Sequence, residues 1–124
     1  MANFKDLDAV VSLADQMGSD AEGPVVLMNV FTVDSKDEDA LIVAWSHDAD
    51  FMKVQPGYIS TQMHKGIAGS STFINYAVWE SVEAFRDAFM HPEFQSRINQ
   101  YPDSAIASSH LFKKVAVPGH CVGS

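Results

Sequence analysis

Two side chains with hydrogen-bond donors point the same way in one short stretch of the sequence. Residues 72–80 alternate between aromatic, β-branched and small residues, a pattern that predicts a strand. Asn75 and Trp79 then share one face, with the small Ala77 between them leaving room for a ligand. An amide and an indole N–H can both donate to a negatively charged oxygen. His64 lies upstream, and imidazole is the side-chain type that exchanges protons near neutral pH. These residues predict a site for oxyanion stabilisation and proton transfer.

Other residues could line the same site. Asn29 is the one polar residue in an apolar run of strand-forming length, and burying its amide without a partner would cost free energy. Phe73 shares the predicted face of Asn75, and His110 lies on the last predicted strand. Each candidate also has a structural explanation, because buried aromatic residues are commonly core and buried polar groups are commonly satisfied by a neighbour. No two histidines are spaced i, i+4 and the chain has a single cysteine, so the sequence predicts no metal site.

Composition is typical of a small globular protein. The chain has 124 residues, the size of one domain, and 47% of them are hydrophobic. No apolar run reaches the ~20 residues that a membrane-spanning helix needs. The formal charge of −8 opposes binding to nucleic acid and to anionic membranes, since both require clustered Lys and Arg. We therefore expect a partner that is a small aromatic or uncharged molecule.

The N-terminal sequence and the lone cysteine predict a cytoplasmic protein. The first residues include Lys5, Asp6 and Asp8, and no apolar segment with a cleavage site follows them, so no secretory signal is predicted. Cys121 lies in a Gly-rich tail, and a single cysteine excludes an internal disulfide. The cytoplasm is the default compartment for such a chain.

Hydrophobic periodicity predicts helices and strands in a regular order. Apolar residues recur at steps of three or four over 3–17, which predicts an accessory helix. A second helix, over 36–53, follows a capping-box pattern from Ser35 to Glu38. The remaining predicted elements are strands over 25–33, 58–65, 72–80 and 107–117, with helical segments beginning after Ser81 and at Pro92.

The predicted order after residue 23 is strand, helix, strand, strand, helix, strand. This is the ferredoxin-like, split βαβ arrangement of the α+β class, in which a four-stranded antiparallel sheet has both helices on one face. The other face is rich in apolar residues and needs a cover, either a second copy of the chain or the N-terminal helix. We favour a homodimer, because symmetric self-association is common. The predicted organisation is an N-terminal helical extension (1–23), a ferredoxin-like domain (24–117) and a C-terminal tail (118–124).

Three segments of the sequence resemble one protein family. They are Pro56-Gly57-Tyr-Ile-Ser-Thr-Gln-Met-His64, Phe73-Ile-Asn-Tyr-Ala-Val-Trp-Glu-Ser81 and Ala84-Phe-Arg86. Together they are similar to the antibiotic biosynthesis monooxygenase family of dimeric α/β-barrel proteins, over about residues 24–117. The resemblance implies a dimeric α/β barrel in which two sheets close against each other.

The sharper match is the spacing of Asn75 and Trp79 with His64 upstream. Family members that oxidise an anthrone to a quinone have such an Asn, Trp and His, so the resemblance implies that these three are catalytic. Those members also have a tyrosine in the helix after the Trp strand, where this chain has Phe85, and an arginine further on, which falls beside Arg97. Phe85 and Arg97 are therefore candidate substrate contacts, the arginine as a countercharge. The implied function is oxidation of an anthrone, phenol or hydroquinone by O2 with no metal, flavin or other cofactor.

Two other functions fit parts of the pattern. Related barrels that degrade haem use an Asn on the first strand and a Trp on the third, which Asn29 and Trp79 match. Those proteins place an iron-ligating histidine where this chain has Ile98 and Asn99, and an acidic chain offers little to haem propionates, so this function ranks below quinone-type chemistry. The other alternative is a non-catalytic stress-related or small-molecule-binding barrel, which would need the apolar pocket but not the polar set.

Overall fold

Four long antiparallel strands form the sheet, as the alternation of side chains predicted. The structure is a computed structural model and describes residues 3–124. The strands are β1 (Asn3–Phe4), β2 (Val25–Thr32), β3 (Tyr58–Lys65), β4 (Thr72–Trp79) and β5 (Ile106–Phe112). The α-helices are α1 (Leu13–Met17), α2 (Glu38–Met52), α3 (Val82–Phe89) and α4 (Pro92–Arg97), with short 3₁₀ turns at Ser35–Asp37 and Ile98–Gln100.

The sheet has the strand order β1-β5-β2-β4-β3. Strands β2 to β5 pair antiparallel, and the two-residue strand β1 adds a parallel edge to β5. The chain order from β2 to β5 is strand, helix, strand, strand, helix, strand, with the second helix in two pieces, so the predicted α+β, ferredoxin-like class is confirmed. None of the helices within residues 3–124 is long and apolar enough to cross a membrane.

The helices cover one face of the sheet, called here the covered face, and leave the other, the open face, without helices α2 to α4. Alternation along β2 and β4 assigns Leu27, Asn29, Phe73 and Asn75 to the covered face. The Phe31 cluster packs beneath one end of this face and consists of Phe31, Val33, Leu41, Ala44, Phe73, Tyr101, Ala105 and Ala107. The Trp79 cluster packs beneath the other end and consists of Val25, Leu27, Ala77, Trp79, Val82, Phe85, Ala88 and Leu111.

The N-terminal segment is helical over a shorter stretch than predicted. Instead of a helix over 3–17, Asn3 begins a strand by donating its backbone N–H to Ala105, and helix α1 starts only at Leu13. Between them the Asp8 carboxylate accepts the backbone N–H groups of Val10 and Val11, which takes these donors out of a helical ladder. Local side-chain bonding therefore overrides the apolar periodicity of this segment.

Helix α1 covers the edge of β5 beyond the short strand β1. The side-chain amide of Gln16 donates to the Leu111 carbonyl and accepts from the Leu111 N–H, both at 2.9 Å. These are the hydrogen bonds that a neighbouring strand would make, so Gln16 satisfies an otherwise unpaired edge position. Arg86 of α3 also bonds to the Met17 carbonyl and holds the helix against the domain.

The predicted capping box from Ser35 to Glu38 is wrong. Neither Asp34 nor Asp37, the residues before the 3₁₀ turn and before α2, makes a side-chain cap bond. The Glu38 carboxylate accepts instead from the Ser71 hydroxyl at 2.6 Å and pairs with Lys65 at 2.8 Å, so it ties the start of α2 to the β3–β4 hairpin. Tertiary partners for a carboxylate can outweigh a local cap because an ammonium group binds it more strongly than a backbone N–H.

The last strand ends at Phe112 and not at 117 as predicted. Phe112 pairs with Val26, near the start of β2, so residues further along have no neighbouring strand to pair with. The chain instead makes a tight turn in which Val117 and Cys121 form an isolated bridge.

Candidate functional site

A belt of polar residues crosses the middle of the covered face, between the two apolar clusters. Asn29 on β2 pairs directly with Asn75 on β4 and with Ser109 on β5. Cβ atoms of directly opposed residues lie about 5 Å apart, so the two amides are side by side. The Ser109 hydroxyl donates to Asn29 Oδ1 at 2.9 Å, and the Thr61 hydroxyl of β3 donates to Asn75 Oδ1 at 2.5 Å. Both amide oxygens are therefore satisfied.

The amide NH₂ groups of the belt face no protein acceptor. Within residues 3–124, neither Asn29 Nδ2 nor Asn75 Nδ2 has a hydrogen-bond partner. Both residues line a cavity of about 60 Å³, partly open to solvent, between the covered face and helices α2, α3 and α4. The apolar part of its wall includes Leu27, Trp45, Met52, Ala77, Phe89 and Phe94. A ligand in this cavity would meet two neutral donors against an otherwise mainly apolar wall.

Trp79 and Phe85, two of the residues predicted for the site, line the cavity at the end of the Trp79 cluster. The Trp79 ring meets Tyr58 at 5.6 Å and Phe85 at 5.9 Å between ring centroids, both edge-on. Edge-on packing fixes the orientation of the indole, which is almost fully buried. This end of the cavity wall is therefore aromatic and closely packed.

Asp48 brings a carboxyl group into the same cavity. It is only 6% exposed and lies on the buried side of α2 with Leu41 and Phe51. The Tyr101 hydroxyl donates to Asp48 Oδ2 at 2.6 Å, whereas Oδ1 is buried and has no partner in the described chain. Burial raises the pKa of Asp48 from 3.8 to about 6, against the opposing effects of the Tyr101 hydrogen bond and the charge of Arg97. Burial and the neighbouring carboxylate raise the pKa of Tyr101, which stays protonated.

Arg97 and Phe73 do not line the cavity. The Arg97 guanidinium bonds to the His47 carbonyl on the outside of α2 and stacks over the Phe51 ring at 5.7 Å. Its effect on the site is the charge that it places near Asp48. Phe73 is packed inside the Phe31 cluster, so its prediction as a substrate contact is not supported by its position.

The two histidines predicted for the site lie on the open face. His64 pairs with Ile74 on β4 and is exposed, so the sheet separates it from Asn75 and Trp79. His110 pairs with Met28, and its Nε2 lies 3.0 Å from the Gln16 amide nitrogen. The prediction that His110 lines the cavity is wrong, and His64 is not brought together with Asn75 within one chain. Adjacent residues of a strand point to opposite faces, and both histidines occupy positions that point to the open face.

Sequence reasoning missed Asp48 and Tyr101. The sequence did contain a signal for the aspartate, because positions 41, 44, 48 and 51 lie on one stripe of the helix. Asp48 is the one polar residue on that stripe, and the other three are apolar. A charged residue on such a stripe must be buried with a partner. The partner Tyr101 lies outside any helix or strand, and no periodicity could place it.

The sequence and the structure were compared with known proteins. The sequence profile described as antibiotic biosynthesis monooxygenase matches residues 24–99. No functionally curated protein sequence matches the chain significantly.

Several solved structures share the fold. SnoaB from Streptomyces nogalater, described as a cofactor-independent oxygenase, aligns with a TM-score of 0.70 and 22% identity over 79% of this chain and 99% of its own. A proposed monooxygenase from Shewanella loihica PV-4 aligns with a TM-score of 0.68 and 29% identity over 78% and 99%. Rv0793 from Mycobacterium tuberculosis aligns with a TM-score of 0.63 and 13% identity over 77% and 99%. The similarity extends over nearly the whole length of each of these proteins.

Proposed function

The chain belongs to the antibiotic biosynthesis monooxygenase family, and from this premise we propose that it is a cofactor-independent monooxygenase that oxidises an anthrone, phenol or hydroquinone with O2. The observation that carries the proposal is the belt: two side-by-side amides, Asn29 and Asn75, whose NH₂ groups lack acceptors among residues 3–124 and which line one cavity with Trp79. The description of the structurally similar SnoaB as a cofactor-independent oxygenase supports the same chemistry.

The arrangement of the cavity matches what such a reaction requires. An electron-rich aromatic enolate can pass an electron to O2 directly, so the protein needs to bind the ring, stabilise the oxyanion and exclude water. Trp79 and the apolar wall would hold the ring, and the amide donors of Asn29 and Asn75 would bond to the enolate oxygen. Preorganised neutral donors in a site of low polarity stabilise developing charge strongly.

The reaction balances without an added reductant. For an anthrone, the methylene carbon becomes a carbonyl carbon, one atom of O2 enters the product and the other leaves as water. The four electrons lost by the methylene group are the four that O2 accepts. For this reason the proposed substrate and O2 are the only reactants needed.

We also propose that the chain acts as a homodimer closed through the open face. This face has a continuous apolar centre formed by Val26, Met28, Val30, Ile74 and Val78. Burying such a patch against its own copy is a common solution for a one-sided sheet. A small aromatic substrate and O2 would reach the cavity from the other side, so the dimer contact would leave the site free.

The experiment is oxygen uptake by purified, chelator-treated protein with dithranol, a dihydroxyanthrone, as substrate. We expect saturable uptake with formation of the corresponding anthraquinone. Asn75→Ala should lower turnover by about 100-fold, since it removes one oxyanion donor. Trp79→Phe, which keeps an aromatic ring but removes the indole N–H, should also lower it.

Gln62→Ala is the matched control for Asn75→Ala, because Gln62 is an amide residue on the open face of the neighbouring strand. Its turnover should equal that of the wild type. Uptake no faster than the uncatalysed background would refute the proposal. If tryptophan fluorescence then still shows saturable binding of the anthraquinone, the protein is a small-molecule-binding barrel.

A further inference from the structure

A buried carboxylate with one unsatisfied oxygen faces the cavity. Asp48 is more than nine-tenths buried, and the Tyr101 hydroxyl donates to Oδ2 alone. Asp48 Oδ1 is shielded from solvent and has no partner among residues 3–124. A buried polar atom without a partner costs free energy, and an ionised carboxylate costs more. Asp48 lines the cavity, so this free oxygen is an acceptor that a ligand satisfies once rotation of the carboxyl group brings it to the cavity surface.

Among the titratable side chains around the cavity, Asp48 is the one suited to accept a proton. On its own helix the nearest titratable side chain, His47, is exposed. From α4 and the segment after it come Arg97, which binds the His47 carbonyl, and Tyr101, which donates to the carboxylate. The sheet contributes Tyr58 and the uncharged belt, and α3 contributes phenylalanines. Within the described chain, no lysine, arginine or histidine lines the cavity.

Building on the proposed function, we infer that Asp48 Oδ1 is the general base that removes the substrate proton, and that Tyr101 positions it. Asp48 on α2 and the belt on the sheet both line the cavity, so a ring held between them would present one edge to the amide donors and another to the carboxylate. The raised pKa supports the role, because a base whose pKa lies near the working pH is both available and strong enough. His64, the proton acceptor predicted from the sequence, lies behind the sheet.

The proton can be followed through the whole reaction. Asp48 takes the first proton from the methylene carbon, and the electron pair of that C–H bond forms the enolate. The enolate gives one electron to O2, and the resulting radical and superoxide join in a C–O bond, which yields a peroxide. Protonated Asp48 returns its proton to the outer peroxide oxygen. When the carboxylate takes the second methylene proton, the carbonyl forms, the O–O bond breaks, and the departing hydroxide takes that proton to leave as water.

The same geometry restricts the substrate to neutral molecules. A cavity with one buried carboxylate and no cationic side chain among its lining residues repels carboxylated or phosphorylated ligands, because their charge would be buried without a countercharge. The donors of Asn29 and Asn75 fit a carbonyl or enolate oxygen. The site therefore fits an uncharged aromatic ketone with an acidic C–H or O–H group.

The test compares pH profiles of dithranol turnover. We expect kcat of the wild type to fall on the acid side with an apparent pKa near 6, the value that burial gives Asp48. Asp48→Asn should lower kcat by at least about 100-fold with little change in KM and should remove the acid limb. Asp48→Glu should recover part of the rate. Anthraquinone binding, read by tryptophan fluorescence, should persist in Asp48→Asn and thereby report an intact fold.

Tyr101→Phe tests the positioning role. Its hydrogen bond lowers the pKa of Asp48, so its removal should move the acid limb to higher pH and lower kcat. Tyr76→Phe is the control, since Tyr76 lies on the open face away from the cavity, and its pH profile should match the wild type. Turnover by Asp48→Asn with an unchanged acid limb would overturn the inference and leave the oxygenase function standing. Absence of turnover in the wild type would overturn both.

Discussion

The two faces of one sheet differ more than any two separate regions of this molecule. Asn75 and Tyr76 are neighbours on β4, yet the first is buried in the polar belt and the second is 39% exposed on the open face. On the covered face, helices bury amides, a carboxyl group and aromatic rings around a cavity. On the open face, the same strands carry apolar side chains with His64 and His110 at its sides.

The difference shows how burial changes the chemistry of ordinary side chains. Asparagine on an exposed strand exchanges its hydrogen bonds with water and contributes little. Behind three helices, the NH₂ groups of Asn29 and Asn75 keep their hydrogen-bonding capacity for a ligand, and the carboxyl group of Asp48 becomes a base near neutral pH. We therefore propose chemistry on the covered face and association on the open face.

The largest difference between the two faces is expected in the free energy of unfolding, when one phenylalanine on each face is replaced by alanine. Phe73, on the covered face, is 3% exposed, and Phe112, on the open face, is 40% exposed. Phe73→Ala should lower the free energy of unfolding by about 3–5 kcal/mol, because it leaves a cavity in the Phe31 cluster. Phe112→Ala should cost about 1 kcal/mol in a single chain. Urea denaturation at low protein concentration measures both values.

The Phe112 variant also reports on the proposed dimer. If the open face binds a second copy, sedimentation of the wild type should give the mass of two chains, and Phe112→Ala should raise the concentration at which they separate. A monomeric wild type, with Phe112→Ala as costly as Phe73→Ala, would contradict the contrast between the faces.

The second-largest effect is expected in the pH dependence of stability. It compares a carboxyl group buried at the cavity with one exposed on the surface of α2. The folded-state pKa of Asp48, about 6, lies above its ordinary value of 3.8, so the folded protein binds this proton more tightly than the unfolded chain does. The stabilisation is complete below the ordinary pKa and is lost as the pH rises through the folded pKa. Asp48→Asn stays neutral throughout, so its stability relative to the wild type should improve by about 3 kcal/mol between about pH 3 and pH 8.

Asp50→Asn is the control for that measurement. Asp50 lies two residues along the same helix, is exposed and pairs with Lys53. Its stability relative to the wild type should change by less than about 0.5 kcal/mol over the same pH range. Equal behaviour of the two variants would mean that the cavity is as polar as the surface of α2.

The smallest effect is expected from His64→Ala. His64 is exposed on the open face, so we expect less than about 0.5 kcal/mol in stability. Dithranol turnover should stay within about twofold of the wild type, because the imidazole lies on the far side of the sheet from the cavity. A large loss of turnover would return the proton-transfer role to His64 and would break the assignment of chemistry to the covered face.

Much of the fold and part of the candidate site followed from local pattern. Alternation in 72–80 correctly placed Asn75 and Trp79 on one face, and the apolar run around Asn29 indicated an amide that needs a partner, which the structure shows as the half-buried Asn29 bonded to Ser109. The histidines could not be placed in this way. The sequence does not show whether the odd-numbered or the even-numbered residues of β3 and β5 face the helices. Phe73 was on the correct face but at the wrong end, where the Phe31 cluster fills the space.

The sequence by itself determined the order of strands and helices, the family and the face shared by Asn75 and Trp79, because these depend on residue spacing over a few positions. Only the tertiary structure decided that Asp48 meets Tyr101 and faces the belt, since the partners are 53 residues apart and one of them lies outside any helix or strand. The tertiary structure also decided which carboxyl group of α2 is buried. Asp48 and Asp50 are the same residue type on one helix, but only Asp48 is buried by the packed chain, and that burial raises its pKa.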